Sequence, residues 1–351
     1  MTPRALHPLA WWGWAGLLGA AVLRTTNPLL CVLVVAVSWF VVASRRQDAP
    51  WARSFATLLK IGVVVLVIRI LLQVFFADRL PGRVLFTLPA GRLPDWASGV
   101  AVGGQVTAEA LAQAVYPGLQ LLALLAALGA ASTLADPYRM VRALPASLYE
   151  VGLALGVGFT LAPQLGSEVG RVRGARRLRG RPTTGLAGLR GVAVPVLEGA
   201  LERSIALAAT MDARGFGRRD PQRGGARLPA VIPVAGLLAL AMGTYALADN
   251  GPSAGFGLGL LVAGAALVVA GVAIGSRQSI RTRYRPDPWR AAEWATVGAG
   301  ALALAFMVVA GRTGVALAGE VAPLRLPTLP LIPALGLLLA AAPALVTPEP
   351  A

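Results

Sequence analysis

Phe55-Ala56-Thr57-Leu58-Leu59-Lys60-Ile61-Gly62-Val63-Val64-Val65-Leu66-Val67-Ile68-Arg69-Ile70-Leu71-Leu72-Gln73-Val74-Phe75-Phe76 is apolar on every face. It is as long as the ~20 residues with which an α-helix crosses a bilayer. A helix apolar all round belongs in a membrane or deep in a large core, and runs of this kind recur along the whole chain. Arg69 stands close enough to the end of the run for its guanidinium to snorkel to the membrane surface or to pair with another helix. The stretch therefore predicts a membrane span.

Working towards the N-terminus, Leu6-His7-Pro8-Leu9 opens an apolar run that reaches Leu23. Arg24-Thr25-Thr26-Asn27-Pro28 breaks it, and Leu29–Val42 continues. Both runs are short, which predicts a tight helical pair in place of two ideal spans. Ser44-Arg45-Arg46 and Arg53 form a basic loop, which the positive-inside rule places in the cytoplasm. Beyond Phe76 the Pro- and Gly-rich stretch from Asp78 to Gly104 reads as an irregular external connection. Further apolar runs follow at Ala108–Leu134, Leu228–Ala248, Phe256–Ile274 and Ala291–Ala310, with a last candidate at Leu329–Val346 interrupted by Pro333. The polar turn Asp249-Asn250-Gly251-Pro252 reads as external, and the basic loop Arg277–Arg290 as cytoplasmic.

Composition agrees. The 351 residues are 56% hydrophobic and 14% charged, against roughly 25% charged in a soluble domain, and the mean hydropathy is +0.68. The formal net charge is +16. In a soluble protein that excess would suggest nucleic acid; here it sits between apolar runs, where basic residues hold loops in the cytoplasm, and no nucleic-acid partner is expected. Cys31 is the single cysteine and His7 the single histidine, which argues against an intramolecular disulfide and against zinc, haem and iron–sulfur chemistry. No cofactor or metal is expected.

The stretch 136–227 separates N-terminal membrane helices (1–135) from C-terminal ones (228–351). Asp136-Pro137-Tyr138-Arg139-Met140-Val141-Arg142 is a basic exit from the membrane. Leu148–Leu161 is apolar, but arginines flank it on both sides, so it is read as a helix that does not cross, ending at Pro163. Two cytoplasmic helices are then predicted, from about Gln164 to Arg179 and from near Pro195 to Arg214. Glu168, and Glu198 with Glu202, lie early in them, where the helix dipole favours acids. Arg176, Arg177 and Arg179, and Arg214, close them, where it favours cations. Gly180 and Gly215 occupy the stop positions, with Pro182 beyond the first. Leu197, Leu201, Ile205, Ala208 and Met211 form an apolar stripe on the second helix. Ala200, Ala206, Ala209 and Ala213 would admit a close crossing. Two such helices are expected to bury their stripes on each other and on the membrane part.

Catalytic candidates are few. No nucleophile has a nearby base and no carboxylates pair within the apolar runs. A phosphate loop of the G-x-x-x-x-G-K-[ST] form needs a lysine that Lys60, the only one, does not supply. Any ATPase must be another chain. What remains is the pair Leu178-Arg179-Gly180 and Ala213-Arg214-Gly215. An arginine at a helix end presents a planar five-donor fork, and the glycine lets the backbone turn away, which suits an acidic groove on a partner.

The stretch Leu201-Glu202-Arg203-Ser204-Ile205-Ala206-Leu207-Ala208-Ala209-Thr210-Met211-Asp212-Ala213-Arg214-Gly215-Phe216-Gly217 resembles the hallmark of the energy-coupling factor transporter T component, the EcfT (CbiQ) family. Leu6-His7-Pro8-Leu9 with Thr26-Asn27-Pro28-Leu29 is similar to that family's start. So is Arg142-Ala143-Leu144-Pro145, followed by Phe159 and Pro163, to its middle, and Thr282-Arg283-Tyr284-Arg285-Pro286-Asp287-Pro288-Trp289 to its later part. The resemblance covers most of residues 6 to 311.

The resemblance implies an all-α polytopic membrane bundle in the cell membrane, with long cytoplasmic coupling helices. It implies a non-catalytic subunit of an ABC-type importer with two ABC ATPase partners and a substrate-binding S component for a vitamin or a transition-metal ion. ATP would be bound only by the ATPases. Carried over by position, residues 178–180 and 213–215 dock the ATPases, and Leu201, Ile205, Ala208 and Met211 pack against the S component or the other coupling helix. The chain departs from the family at Leu178, where alanine is usual, and in the runs at 228–274 and 329–346, which are additional. Two other classes compete. A membrane enzyme acting on lipid or polyprenyl substrates would need clustered carboxylates, and Asp136, Asp212 and Asp220 are scattered. A self-contained channel or secondary transporter would need polar residues at mid-membrane depth, and the runs are mostly Leu, Val, Ala and Gly.

Overall fold

The computed structural model describes residues 6–46, 50–76, 81–92, 101–145, 148–216, 228–248, 254–277, 287–322 and 324–347. The turn at 249–252, Gly217, Asp220 and the Thr282–Pro286 part of the later motif lie outside the described residues. In chain order the elements are α1 (Pro8–Val22), α2 (Pro28–Arg45), α3 (Ser54–Phe76), β1 (Val84–Arg92), β2 (Ala101–Thr107), α4 (Ala108–Leu134), α5 (Pro137–Ala143), α6 (Tyr149–Leu178) and α7 (Gly185–Ala213). They continue with α8 (Leu228–Ala248), α9 (Ala254–Arg277), α10 (Ala291–Arg312), α11 (Leu331–Leu339) and α12 (Pro343–Val346). The protein is a helical membrane bundle. Among the described residues, five helices are long and apolar enough to cross a bilayer: Pro28–Arg45, Trp51–Phe76, Ala108–Leu134, Gly259–Ser276 and Ala291–Arg312. Val231–Ala246 and Leu331–Val346 are shorter apolar helices.

Two compact units divide the chain, Met1–Ala143 with Pro286–Ala351, and Leu144–Arg285. In the first, α4 is the hub against which α1, α2 and α3 pack. Its Ala123, Ala126, Ala127, Ala130 and Ala131 are fully buried, and side chains this small let neighbouring backbones approach. The expected tight pairing of α1 with α2 does not occur. α1 packs chiefly on α10 and α4, α2 chiefly on α4, and the two barely touch. The break at Arg24–Asn27 is held instead by the distant chain: Thr25 Oγ1 donates to the Leu317 carbonyl at 2.6 Å and Asn27 Nδ2 to that of Thr328 at 2.9 Å. Asn27 also caps α2, its Oδ1 accepting from Leu29 N.

The C-terminal run folds onto the same core. The fully buried Trp14 donates its indole N–H to the Ala340 carbonyl at 3.0 Å, and the Arg45 guanidinium donates twice to that of Ala344. Pro333 does not interrupt this run; it sits in the first turn of α11, where a missing N–H costs nothing. The break falls at residues 340–342, ahead of Pro343, where the chain tightens into turns such as Ala341 N to the Leu338 carbonyl.

Between α3 and α4 the expected irregular connection contains a β-hairpin. β1 and β2 pair antiparallel from Val84 opposite Thr107 to Arg92 opposite Ala101, with register shifts between Val84 and Phe86 and between Leu88 and Gly91. Gly103, at φ 81°, is the residue that permits the second shift, since a Cβ there would come within 2.2 Å of the Pro89 carbonyl oxygen. The Pro and Gly content that disguised the strands is what bends them.

In the second unit α8 and α9 form an antiparallel hairpin. A Cβ on Gly236 would meet the Gly264 carbonyl oxygen at 2.8 Å, and one on Gly243 the Gly257 carbonyl oxygen at 2.9 Å. Glycines seven residues apart on each helix thus bring the backbones together, as in close-packed membrane pairs.

Candidate functional site

The predicted arginine-ended helices are present but longer than their spacing suggested. Leu148–Leu161 and Gln164–Arg179 are not separate elements; α6 runs unbroken through Pro163 for 30 residues, about 45 Å. Pro163 removes one N–H from the ladder, and the Leu, Ala and Gln around it supply enough propensity to continue. α7 likewise begins at Gly185, ten residues ahead of Pro195, and keeps that proline inside. Reading each proline as a boundary divided one helix and shortened the other.

Both helices stop where expected and by the same device. At the end of α6, Gly180 takes φ 62°, its N–H donates to the Arg177 carbonyl at 3.1 Å, and Arg181 N donates to that of Arg176 at 3.0 Å. At the end of α7, Gly215 takes φ 76°, its N–H donates to the Asp212 carbonyl at 2.8 Å, and Phe216 N donates to that of Met211 at 3.0 Å. These are two Schellman stops with identical bonding, which glycine alone adopts without a Cβ penalty. Arg179 and Arg214 occupy equivalent cap positions, and Leu178, Arg179, Gly180, Ala213, Arg214 and Gly215 are all exposed. Leu178, where the resembling family has alanine, is 91% exposed. Neither the Arg179 nor the Arg214 guanidinium has an ion-pair partner among the described residues.

Three contacts set how the helices meet. Glu168 on α6 forms an ion pair with Arg203 on α7, and a second with Arg171 one turn along its own helix at 2.6 Å. Arg176 donates to the Gly191 carbonyl at 3.2 Å and to that of Pro182 at 3.1 Å. A Cβ on Gly199 would lie 3.6 Å from the Glu168 carboxylate. Residue 176 therefore lies opposite 191 and residue 168 opposite 199, so the helices are antiparallel. At 1.5 Å per residue the two arginine ends stand roughly 35–40 Å apart along the pair. Hydrogen bonds from Arg171 and Arg203 hold the Glu168 carboxyl below the usual carboxylate range.

The apolar stripe does not fall where expected. On α7 the buried residues are Gly188, Val192 and Val196, which share a face with Gly199 and Arg203. Leu197, Leu201, Ile205 and Ala208 lie about 180° round the helix, and Leu201 and Ile205 are each 62% exposed; Met211 is half-buried. No residue of α6 is buried. Among the described residues of the second unit, the stripe is left open. The contact face was missed because it begins ahead of Pro195 and is built of glycine, valine and an arginine, with little large-apolar signal.

In the first unit the structure brings together three motifs far apart in sequence. Arg139 donates to the Leu6 carbonyl at 2.9 Å and forms an ion pair with Asp287. His7 N donates to the buried Glu293 carboxylate at 3.3 Å, which also accepts from Arg290 N at the start of α10. The His7 and Trp289 rings lie 5.6 Å apart. Residues 6–9, 136–142 and 287–289 thus form one polar clasp. No group of three or more His, Cys, Asp or Glu suited to a metal occurs among the described residues.

No protein-family model matches this chain, and no curated protein matches it.

Proposed function

We propose that this chain is the transmembrane coupling subunit of an importer of the energy-coupling factor type, joining two ABC ATPase subunits to a substrate-binding S component that carries a vitamin or a transition-metal ion. The observation that carries the reading is the pair of matched Schellman stops, each presenting an exposed arginine at the end of one member of an antiparallel helix pair. Ends held roughly 35–40 Å apart suit two separate ATPase surfaces better than one groove.

In this reading Arg179 and Arg214 each insert a guanidinium into an acidic groove, where planar bidentate pairing gives both affinity and direction. Because α6 and α7 are tied by the Glu168–Arg203 pair and by Arg176 on Gly191, displacement of one end moves the pair together. The open stripe at Leu197, Leu201, Ile205 and Ala208 offers a moving apolar surface to the S component, and the helical units anchor the subunit in the cell membrane with α6 and α7 on the cytoplasmic side. The chain itself performs no chemistry; ATP is bound and hydrolysed by the partners.

Affinity purification of the detergent-solubilised chain from its native membrane, with partners identified by mass spectrometry, tests the proposal. It predicts recovery of ABC-type ATPases together with a small hydrophobic protein. Recovery of the chain alone, under conditions that preserve other membrane complexes, would contradict it.

A further inference from the structure

The hairpin between α3 and α4 has exposed apolar residues where an aqueous connection would not place them. Val84, Leu85 and Phe86 are 44%, 51% and 45% exposed, and they are consecutive. In a regular strand consecutive side chains alternate between faces. Here the register passes from Val84 opposite Thr107 to Phe86 opposite Val106, so Leu85 is the extra residue of a β-bulge. A bulge re-aims its side chains, and all three consecutive residues stay about half exposed.

Their level in the membrane follows from the helices. A Cβ on Gly129 would meet the Phe55 Cα at 3.3 Å, one on Gly62 the Leu122 side chain at 2.5 Å, and one on Gly118 that of Leu66 at 2.4 Å. Those pairings make α3 and α4 antiparallel and put Phe76 level with Ala108, at the end away from the basic loop that precedes α3. The hairpin is fastened to that same end. Ala108 N donates to the Arg83 carbonyl at 2.9 Å, Arg83 N donates to the buried Glu109 carboxylate at 2.9 Å, and Thr107 caps α4. Val84 is therefore one residue from the first turn of α4.

α4 has 27 residues, about 40 Å, and the span through α3 has 26. Both exceed the ~30 Å hydrocarbon layer, so their ends lie in the headgroup region. Phe75 and Phe76, at the same end of the α3–α4 pair, are also exposed and add apolar surface at that level. We infer that Val84-Leu85-Phe86 seats the hairpin in the interfacial layer of the bilayer. The occupant of this surface is lipid. The hydrated headgroups there satisfy the unpaired strand edges, which hydrocarbon would not. The hairpin then acts as a lateral anchor that fixes the depth of the α3–α4 pair.

Site-directed spin labelling reads this directly. Cys31 is the only cysteine and is buried, so Cys31→Ser gives a clean background for Leu85→Cys and, separately, Phe86→Cys, each in the full chain in lipid nanodiscs. Collision with oxygen and with a water-soluble nickel chelate is compared with labels at Val67→Cys in mid-span and Gln105→Cys on the opposing strand. At both test sites the ratio of oxygen to chelate collision should lie between the mid-span ratio at residue 67 and that of a freely hydrated site, as a label in the interfacial layer gives. Chelate collision matching that at a freely hydrated site would overturn the inference. So would low collision with both reagents, which means cover by protein. Two separate label sites keep the test decisive if one variant fails to fold.

Discussion

Arg203, in the second half of α7, reaches one turn back to the carboxylate of Glu168 on α6, and this pair lies 8 residues from the second tie between the helices, where Arg176 meets the Gly191 carbonyl. Two polar ties about 12 Å apart fix the relative rotation of two helices that otherwise share few buried side chains. The rigidity of the arginine-ended pair thus rests on charge and hydrogen bonding more than on a core.

That arrangement makes the pair sensitive to acid. The Glu168 carboxyl titrates below its usual range in the folded state because Arg171 and Arg203 donate to it. Its contribution is therefore fully present above the unfolded-state pKa of about 4.3 and is lost as pH falls through the lower folded value. Protection of amides 196–206 from hydrogen exchange, taken relative to the intrinsic rate at each pH, should fall on acidification through that window. In Glu168→Gln that protection should already be low at neutral pH and respond little to acid. Identical pH profiles in the two proteins would show that the ion pair does not hold α7.

The glycines of the two helices should respond with opposite signs. Gly215 has φ 76°, so Gly215→Ala should cost about 1 kcal/mol and loosen the last turn of α7. Gly166 lies inside α6 with nothing within 4 Å of a Cβ, so Gly166→Ala should stabilise by about 0.5–1 kcal/mol. Thermal unfolding followed by circular dichroism in detergent distinguishes them. Equal shifts in one direction would mean that the stop at Gly215 is not strained by a side chain.

Much of this was legible in the sequence, for physical reasons that differ by element. The spans at α3, α4 and α10 announce themselves because a bilayer imposes length and apolarity together. The stops at Gly180 and Gly215 were equally legible, since a glycine just past a closing arginine takes the left-handed conformation that ends a helix. What misled was proline: Pro163 and Pro195 lie inside helices, where a single lost N–H is outweighed by the turns on either side, and Pro333 lies in a first turn, where no N–H is lost. The contact face of α7 was hidden for another reason. Gly191, Gly199 and Arg203 meet Arg176 and Glu168 of α6 through a carbonyl, close approach and charge, which leave no trace in hydrophobic periodicity. The clasp joining Leu6, Arg139 and Asp287 spans the chain, and no local pattern encodes a pairing at that separation.

The continuity of α6 sharpens the topology. Its first half is apolar and its second half carries Arg171, Arg173, Arg176 and Arg177. If arginine retention holds both ends in the cytoplasm, reporters fused at residues 145 and 185 should read the same side. Opposite readings would make α6 a span and place one arginine end outside the cell, where no ATPase could reach it.

The most direct test of the central claim is the amount of ABC ATPase retained by the purified chain when Arg179→Ala and Arg214→Ala are combined. The control is the pair Arg173→Ala and Arg190→Ala, which removes equal charge from exposed positions that cap no helix. Charge-assisted hydrogen bonds contribute about 1.5–3 kcal/mol each, so the first double variant should lose ATPase by tenfold or more per site while the control retains it. Equal loss in both would reduce docking to diffuse electrostatics, and undiminished retention in the first would remove the two arginine ends from the docking surface altogether.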